Sequence, residues 1–134
     1  MGGGVRQRFE VPGRLDGMNE IIADARTCRY KGAQGKRDNQ EKVVWAIKAA
    51  RLKPMRYPVL VTVTWVEGMK PGCKRFVPRD KDNIRAGMKF ILDGLQEAGI
   101  IENDRFAMVT PCDRYMLNRE NPRVIVELEE VGEE

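Results

Sequence analysis

The stretch Pro78-Arg79-Asp80-Lys81-Asp82-Asn83 places two carboxylates two positions apart, beside an amide. In extended backbone alternate side chains point the same way and two residues advance about 6.6 Å, so Asp80 and Asp82 can serve one site together. Such a pair suits a hard cation. Magnesium takes oxygen ligands, uses few protein carboxylates and leaves the rest of its shell to water and phosphate oxygens. Paired metals about 4 Å apart stabilise both the attacking and the leaving oxygens of phosphodiester hydrolysis. The plain structural alternative is that Asp82 caps the following helix and Asp80 is a turn residue.

Further charged residues follow at helical spacing. Lys89 lies seven residues, or two turns, after Asp82, and Asp93 four after Lys89. On one continuous helix Asp82, Arg85 and Lys89 share a face. An ammonium near a scissile phosphate offsets developing negative charge. The alternative for Lys89 is a surface pair with Asp93, worth only a few tenths of a kcal/mol. A second acidic cluster, Glu102-Asn103-Asp104, opens the next strand and can fold back toward the first, the alternative for Asp104 being a solvated turn acid.

Composition narrows the chemistry. The chain has 134 residues and no His, which removes Ser-His-Asp and Cys-His triads, His-dependent zinc hydrolases and any imidazole base. Cys28, Cys73 and Cys112 form no Cys-x-x-Cys pair, so free thiols in a reducing cytoplasm are expected in place of disulfides or a four-ligand zinc site. The N-terminus lacks the apolar stretch of a secretory signal, and the longest apolar run, residues 59–66, is too short to span a bilayer. A soluble cytoplasmic protein with no membrane partner is expected.

The net charge of +4 hides a segregation. Residues 120–134 hold six acids and one base, a balance of −5 that leaves +9 on residues 1–119. Residues 26–56 hold ten bases against Asp38 and Glu41, and Lys70, Lys74, Arg75 and Arg79 form a second cluster. Such patches suit a polyanion, the alternative being solvated surface. Tyr30, Trp45 and Phe76 lie in or near these patches and are read as packing or spacer residues ahead of base-stacking ones.

These side chains need a frame. Residues 5–11 alternate apolar and charged and read as a strand ended by Pro12-Gly13. A helix is expected over 19–29, interrupted by Gly32 and Gly35, and a longer one from Asp38 to about Leu52. In that second helix Val43, Ala46, Ile47 and Ala50 form one stripe while Lys42, Trp45, Lys48 and Arg51 lie off it. Residues 59–66, apolar on both faces, read as a central strand, residues 67–79 as a loop, and Asp82 to Gly99 as a single amphipathic helix. The segments 106–116 and 124–131, joined by a polar turn, look like an antiparallel hairpin. Glu127 and Glu129 are expected opposite Arg6 and Arg8, neutralising them. The order β-α-α-β-α-β-β predicts one compact α+β domain over 1–134, with loose ends at 1–4 and 132–134. Its mixed sheet of about four strands is packed with two or three helices.

The string Arg79-Asp80-Lys81-Asp82-Asn83, Lys89, Leu92-Asp93-Gly94-Leu95, Ala98-Gly99-Ile100-Ile101 and Asn103-Asp104 resembles the RusA-type Holliday junction resolvases of bacteria and their prophages. The strong part covers about residues 78–109. The opening strand, Pro12 with Asn19, the basic helical region and the closing hairpin agree more loosely. The resemblance implies a RusA-like fold in which Asp80, Asp82 and Asp104 hold magnesium, with manganese as its substitute, and Lys89 assists catalysis. The segment between Asn83 and Asp93 is about three residues longer than in the best-known member, so Lys89 is assigned by its distance to Asp93, and counting from Asn83 would reach Ala86. Asn103 stands where the best-known member has an acid, a possible fourth ligand.

The implied activity is a magnesium-dependent endodeoxyribonuclease that resolves Holliday junctions by paired symmetric nicks in DNA recombination and repair, with bound water as nucleophile. The implied assembly is a homodimer, since a C2 dimer offers two identical sites to a nearly two-fold junction. Phosphate contacts are expected from Lys31, Lys36, Arg37, Lys48, Lys70, Lys74, Arg75 and Arg79, with Asn19, Asn83 and Arg85 also placed against DNA. The alternatives are a phage nuclease of the same fold acting on other branched DNA and a non-catalytic junction-binding dimer.

Overall fold

The structure, a computed structural model, describes residues 5–56, 58–69, 74, 78–102 and 109–131. The elements in chain order are β1 (Arg6–Pro12), α1 (Met18–Thr27), α2 (Arg29–Ala49), β2 (Val59–Glu67), α3 (Lys81–Arg85), α4 (Met88–Glu97), β3 (Val109–Leu117) and β4 (Arg123–Glu130). The four strands form one mixed sheet in the order β1-β4-β2-β3, which with its helices makes an α+β fold. The expected loose ends at 1–4 and 132–134 lie outside the described residues.

β2 is central, as its two apolar faces require. It pairs antiparallel with β4 on one side and parallel with β3 on the other. Val59, Val61, Val63 and Trp65 point into the core with Phe9 and Val11 of β1 and Val124, Val126 and Leu128 of β4. Val43, Ala46 and Ile47 of α2 and Phe90, Ile91 and Leu95 of α4 close that core from the helical side. On the opposite face of the sheet Arg6 stands across from Glu129 and Arg8 across from Glu127, the register expected from the charges. Arg6 Nη2 lies 3.0 Å from Glu129 Oε1, while Arg8 turns instead to Glu10 at 3.0 Å.

The expected hairpin of the last two strands is corrected. β3 and β4 flank β2 and do not pair with each other. Residues 118–122 step across the end of β2, a span of two strand spacings or about 9.6 Å. Asn118 N donates to Glu67 O at 2.9 Å, Met69 N to Arg119 O at 3.0 Å and Gly13 N to Pro122 O at 3.0 Å. Asn118 Oδ1 accepts from the amides of Glu120 and Asn121 and shapes the turn. The crossover that a parallel β2-β3 pair demands is supplied by α3 and α4.

Two helix boundaries also differ from expectation. The first two helices are divided at Cys28, whose extended backbone (φ −172°, ψ 159°) ends α1 and begins α2, and α2 runs straight through Gly32 and Gly35. Those glycines admit α1: a Cβ on Gly32 would lie 3.3 Å from Ala25 Cα, and one on Gly35 2.7 Å from Asp24 Oδ2. The helix expected over 82–99 is interrupted at Ala86-Gly87 into α3 and α4, where the bonding tightens to Gly87 N on Ile84 O at 3.1 Å and Phe90 N on Gly87 O at 3.0 Å. Gly87 itself sits against the Trp65 ring, where a Cβ would be 3.1 Å away. α4 crosses α2 at Gly94, where a Cβ would fall 2.6 Å from Val43 Cγ1. Gly94→Ala is therefore expected to lower stability by about 1–3 kcal/mol, read from denaturant midpoints.

Candidate functional site

The acidic site begins at a buried charge. Glu67, the last residue of β2, is 4% exposed and takes a bidentate grip from Arg79, with Nε to Oε1 at 2.7 Å and Nη2 to Oε2 at 2.8 Å. Arg79 Nη1 also donates to Leu15 O at 3.0 Å, so the guanidinium ties the end of β2 to the loop after β1. Arg14 Nε stands 3.9 Å from Glu67 Oε1 and finds no hydrogen-bond partner among the described residues, and Glu20 reaches toward both arginines from α1. Burial pushes the Glu67 carboxyl up, but the hydrogen bonds and charge of Arg79, helped by Arg14, outweigh it and hold the group below the usual carboxylate range.

This clasp fixes residue 79 and hence the next residue. Asp80 occupies the N-cap of α3 with extended backbone, and its carbonyl accepts from Ile84 N at 3.0 Å. Its carboxylate makes no capping bond. Asp82 lies in the first turn of α3, so the pair straddles a helix start and does not follow the extended geometry expected of it. Both residues are exposed, and neither carboxylate has a hydrogen bond or ion pair among the described residues. The capping alternative for Asp82 therefore fails.

α3 leans on β3, and the contact brings in residues that the sequence did not single out. Asp113 Oδ1 accepts from Trp65 Nε1 at 2.8 Å, and its Oδ2 holds Arg85 Nε at 3.0 Å. Lys81 Nζ lies 5.1 Å from the centre of the Tyr115 ring. Burial pushes the Tyr115 phenol up, with the charges of Asp113 and Asp82 adding and Arg85 opposing. Asp82 thus shares a neighbourhood with Tyr115, Asp113 and Arg85. The visible signal for Asp113 was an acid inside a strand; for Glu67 it was an acid closing an apolar run.

The helix break separates what a continuous helix would have aligned. Arg85 turns to β3, whereas Lys89 lines a recess of about 210 Å³ with Asp24 of α1, Lys36 of α2 and Ala86. No ion pair joins Lys89 to Asp93 among the described residues. Asp104, together with Asn103, Lys70, Arg75 and Phe76, lies outside the described residues. Among those described, no group of three His, Cys, Asp or Glu side chains is arranged to hold a metal.

The residues expected to meet DNA divide into two sets. Lys31, Lys36, Arg37, Lys48 and Lys74 are exposed. Arg79 does not present a free guanidinium, being committed to Glu67. Asn83 is structural: its Oδ1 accepts from Asn19 N at 2.9 Å and satisfies one open amide at the start of α1. The space beneath it demands Gly17, where a Cβ would sit 2.5 Å from Asn83 Oδ1. Tyr30 and Trp45, read as packing or spacer residues, do not pack: they are 77% and 74% exposed. No helix among the described residues is long and apolar enough to cross a membrane. Searches of protein-family models and of curated proteins find no match for the chain.

Proposed function

We propose that the protein is a magnesium-dependent, structure-selective endodeoxyribonuclease that resolves four-way DNA junctions in recombination and repair, acting as a homodimer. The observation that carries this reading is the pair of exposed carboxylates at Asp80 and Asp82. Among the described residues they have no hydrogen-bond or ion-pair partner, and they stand on a backbone anchored by the buried Arg79 to Glu67 clasp. Oxygen donors without protein hydrogen bonds suit a hard cation. Asp113, whose two oxygens hold Trp65 Nε1 and Arg85 Nε, is assigned instead to positioning α3 against β3.

Asp80 and Asp82 would hold the ion together with Asp104, the third acid of the resembled motif. The ion supplies Lewis-acid stabilisation of phosphate oxygens. The protein's own part is to present the two carboxylates from the start of α3, to offer bases to the backbone phosphates, and to set Arg85 and Lys81 beside them. Exposed lysines along α2 support polyanion binding, which should weaken steeply with salt.

The test is incubation with a synthetic four-way junction and with matched linear duplex, with and without magnesium. Symmetric nicks confined to the junction and dependent on the metal are expected. Equal cutting of linear duplex would overturn the junction preference. Tight junction binding without cleavage under magnesium or manganese would replace the nuclease with a binding module.

A further inference from the structure

We propose that Trp45, framed by Lys42 and Lys48 on the outer face of α2, is a stacking platform for an unpaired base of single-stranded nucleic acid. The proposal deepens the DNA-binding reading above and rests on it for the class of ligand. Trp45 is one of two tryptophans in the chain and is 74% exposed, whereas Trp65 is 3% exposed and hydrogen-bonded to Asp113. A large aromatic surface left in water has no folding reason, since the stripe that packs α2 is Val43, Ala46 and Ile47.

The surroundings of Trp45 are those a base requires. It borders a groove of about 580 Å³ whose floor is built from Val11, Pro12, Ala46 and Ala49, side chains short enough for a flat ring to approach the indole. Lys42 and Lys48 lie three residues to either side of Trp45, about 60° around the helix on each flank and about 4.5 Å along it, within reach of phosphates. The exposed acid Glu41, one turn before Trp45 and about 40° around, leaves this flank a balance of two bases to one acid. α2 as a whole carries six bases against Asp38 and Glu41. Glu10, the acid at the groove, is neutralised by Arg8 and Arg123, each at 3.0 Å.

Size and charge argue against a protein occupant. A stable protein interface needs about 800 Å² on each side with an apolar centre depleted in lysine. Here the exposed large apolar side chains of α2 are Tyr30 and Trp45 alone, about 22 Å apart along the axis. An isolated aromatic in a frame of lysines matches a single-strand site, in which stacking supplies affinity and ammonium groups track the backbone.

The experiment is a titration in chelator with a short oligothymidylate and with duplex of the same length, following tryptophan emission. The single strand is expected to quench the solvent-exposed emission, with the buried Trp65 component unchanged. Trp45→Phe should abolish that quenching and keep affinity within about threefold, because a ring remains. Trp45→Ala should weaken binding by about tenfold or more with an unchanged salt slope, whereas Lys42→Ala should lower the slope by about one. Wild-type affinity in Trp45→Ala, equal quenching by duplex, or self-association of the free protein that Trp45→Ala abolishes would overturn the proposal. No metal is present, so failure of junction cleavage leaves this result untouched, and loss of quenching with cleavage intact rejects the platform alone.

Discussion

Glu67→Ala is expected to destabilise the protein by about 3–5 kcal/mol, the cost of breaking a buried ion pair by removing one partner. The side chain of Arg79 is only 12% exposed, and without Glu67 its guanidinium would keep Leu15 O and a carboxylate of Glu20 at 3.9 Å. Arg14, already short of a hydrogen bond at Nε, would lose its nearest anion as well. In thermal unfolding the loss should appear as a drop of about 10–20 °C. Glu67→Leu combined with Arg79→Met should recover most of it, since no unpaired charge then remains inside. A cost of Glu67→Ala below about 1 kcal/mol would show the pair to behave as an exposed one.

The same residue sets an acid limit. Its folded pKa lies below the unfolded value of about 4.5, so its contribution is fully present above that value and is lost as pH falls through the folded pKa. Wild-type melting temperature should therefore fall as the solution is acidified below about pH 4.5. The fall should be shallower in Glu67→Gln, which has no proton to take up there.

Asp82→Asn is expected to reduce junction cleavage by more than about a hundredfold, because even second-shell changes around a metal cost 10–100-fold. The effect should be confined to chemistry. Asp82 is exposed, caps nothing and pairs with nothing among the described residues, so its replacement removes only a favourable charge in the first helical turn, worth about 0.3–1 kcal/mol. Junction binding should persist or tighten, since an anion close to phosphates is neutralised. Gel shift, nicking assay and thermal melting on one preparation separate these effects. Loss of folding or of binding in Asp82→Asn would contradict the assigned role.

What was legible in the sequence was whatever one segment's own pattern decides. An apolar run on both faces marked β2 as central, and alternating charges placed Glu129 opposite Arg6. What escaped depends on contacts between distant segments. Gly32 and Gly35 read locally as helix breakers and instead admit α1, while Gly87, which drew no notice within an apolar helical pattern, stands at the junction of α3 and α4 and admits the Trp65 ring. β3 and β4, adjacent in sequence with a turn between them, read as a hairpin, since local pattern does not reveal that β2 takes the place between them. At the site, the Asp80 and Asp82 spacing was visible, but the anchor that fixes it was not: Glu67 and Arg79 meet from 12 positions apart.

The sheet order also dictates when this protein can fold. β1 has β4 as its sole sheet neighbour among the described residues, and Arg6 and Glu129 are separated by 123 positions. A nascent chain that has emerged as far as β3 holds β2 and β3 but nothing to which β1 can zip. Closure waits for β4, which must insert between β1 and β2 and satisfy two strand edges at once. Such distant pairing makes for slow refolding. Until insertion, both edges stay available for mispairing with other chains, and that interval is the period of greatest aggregation risk.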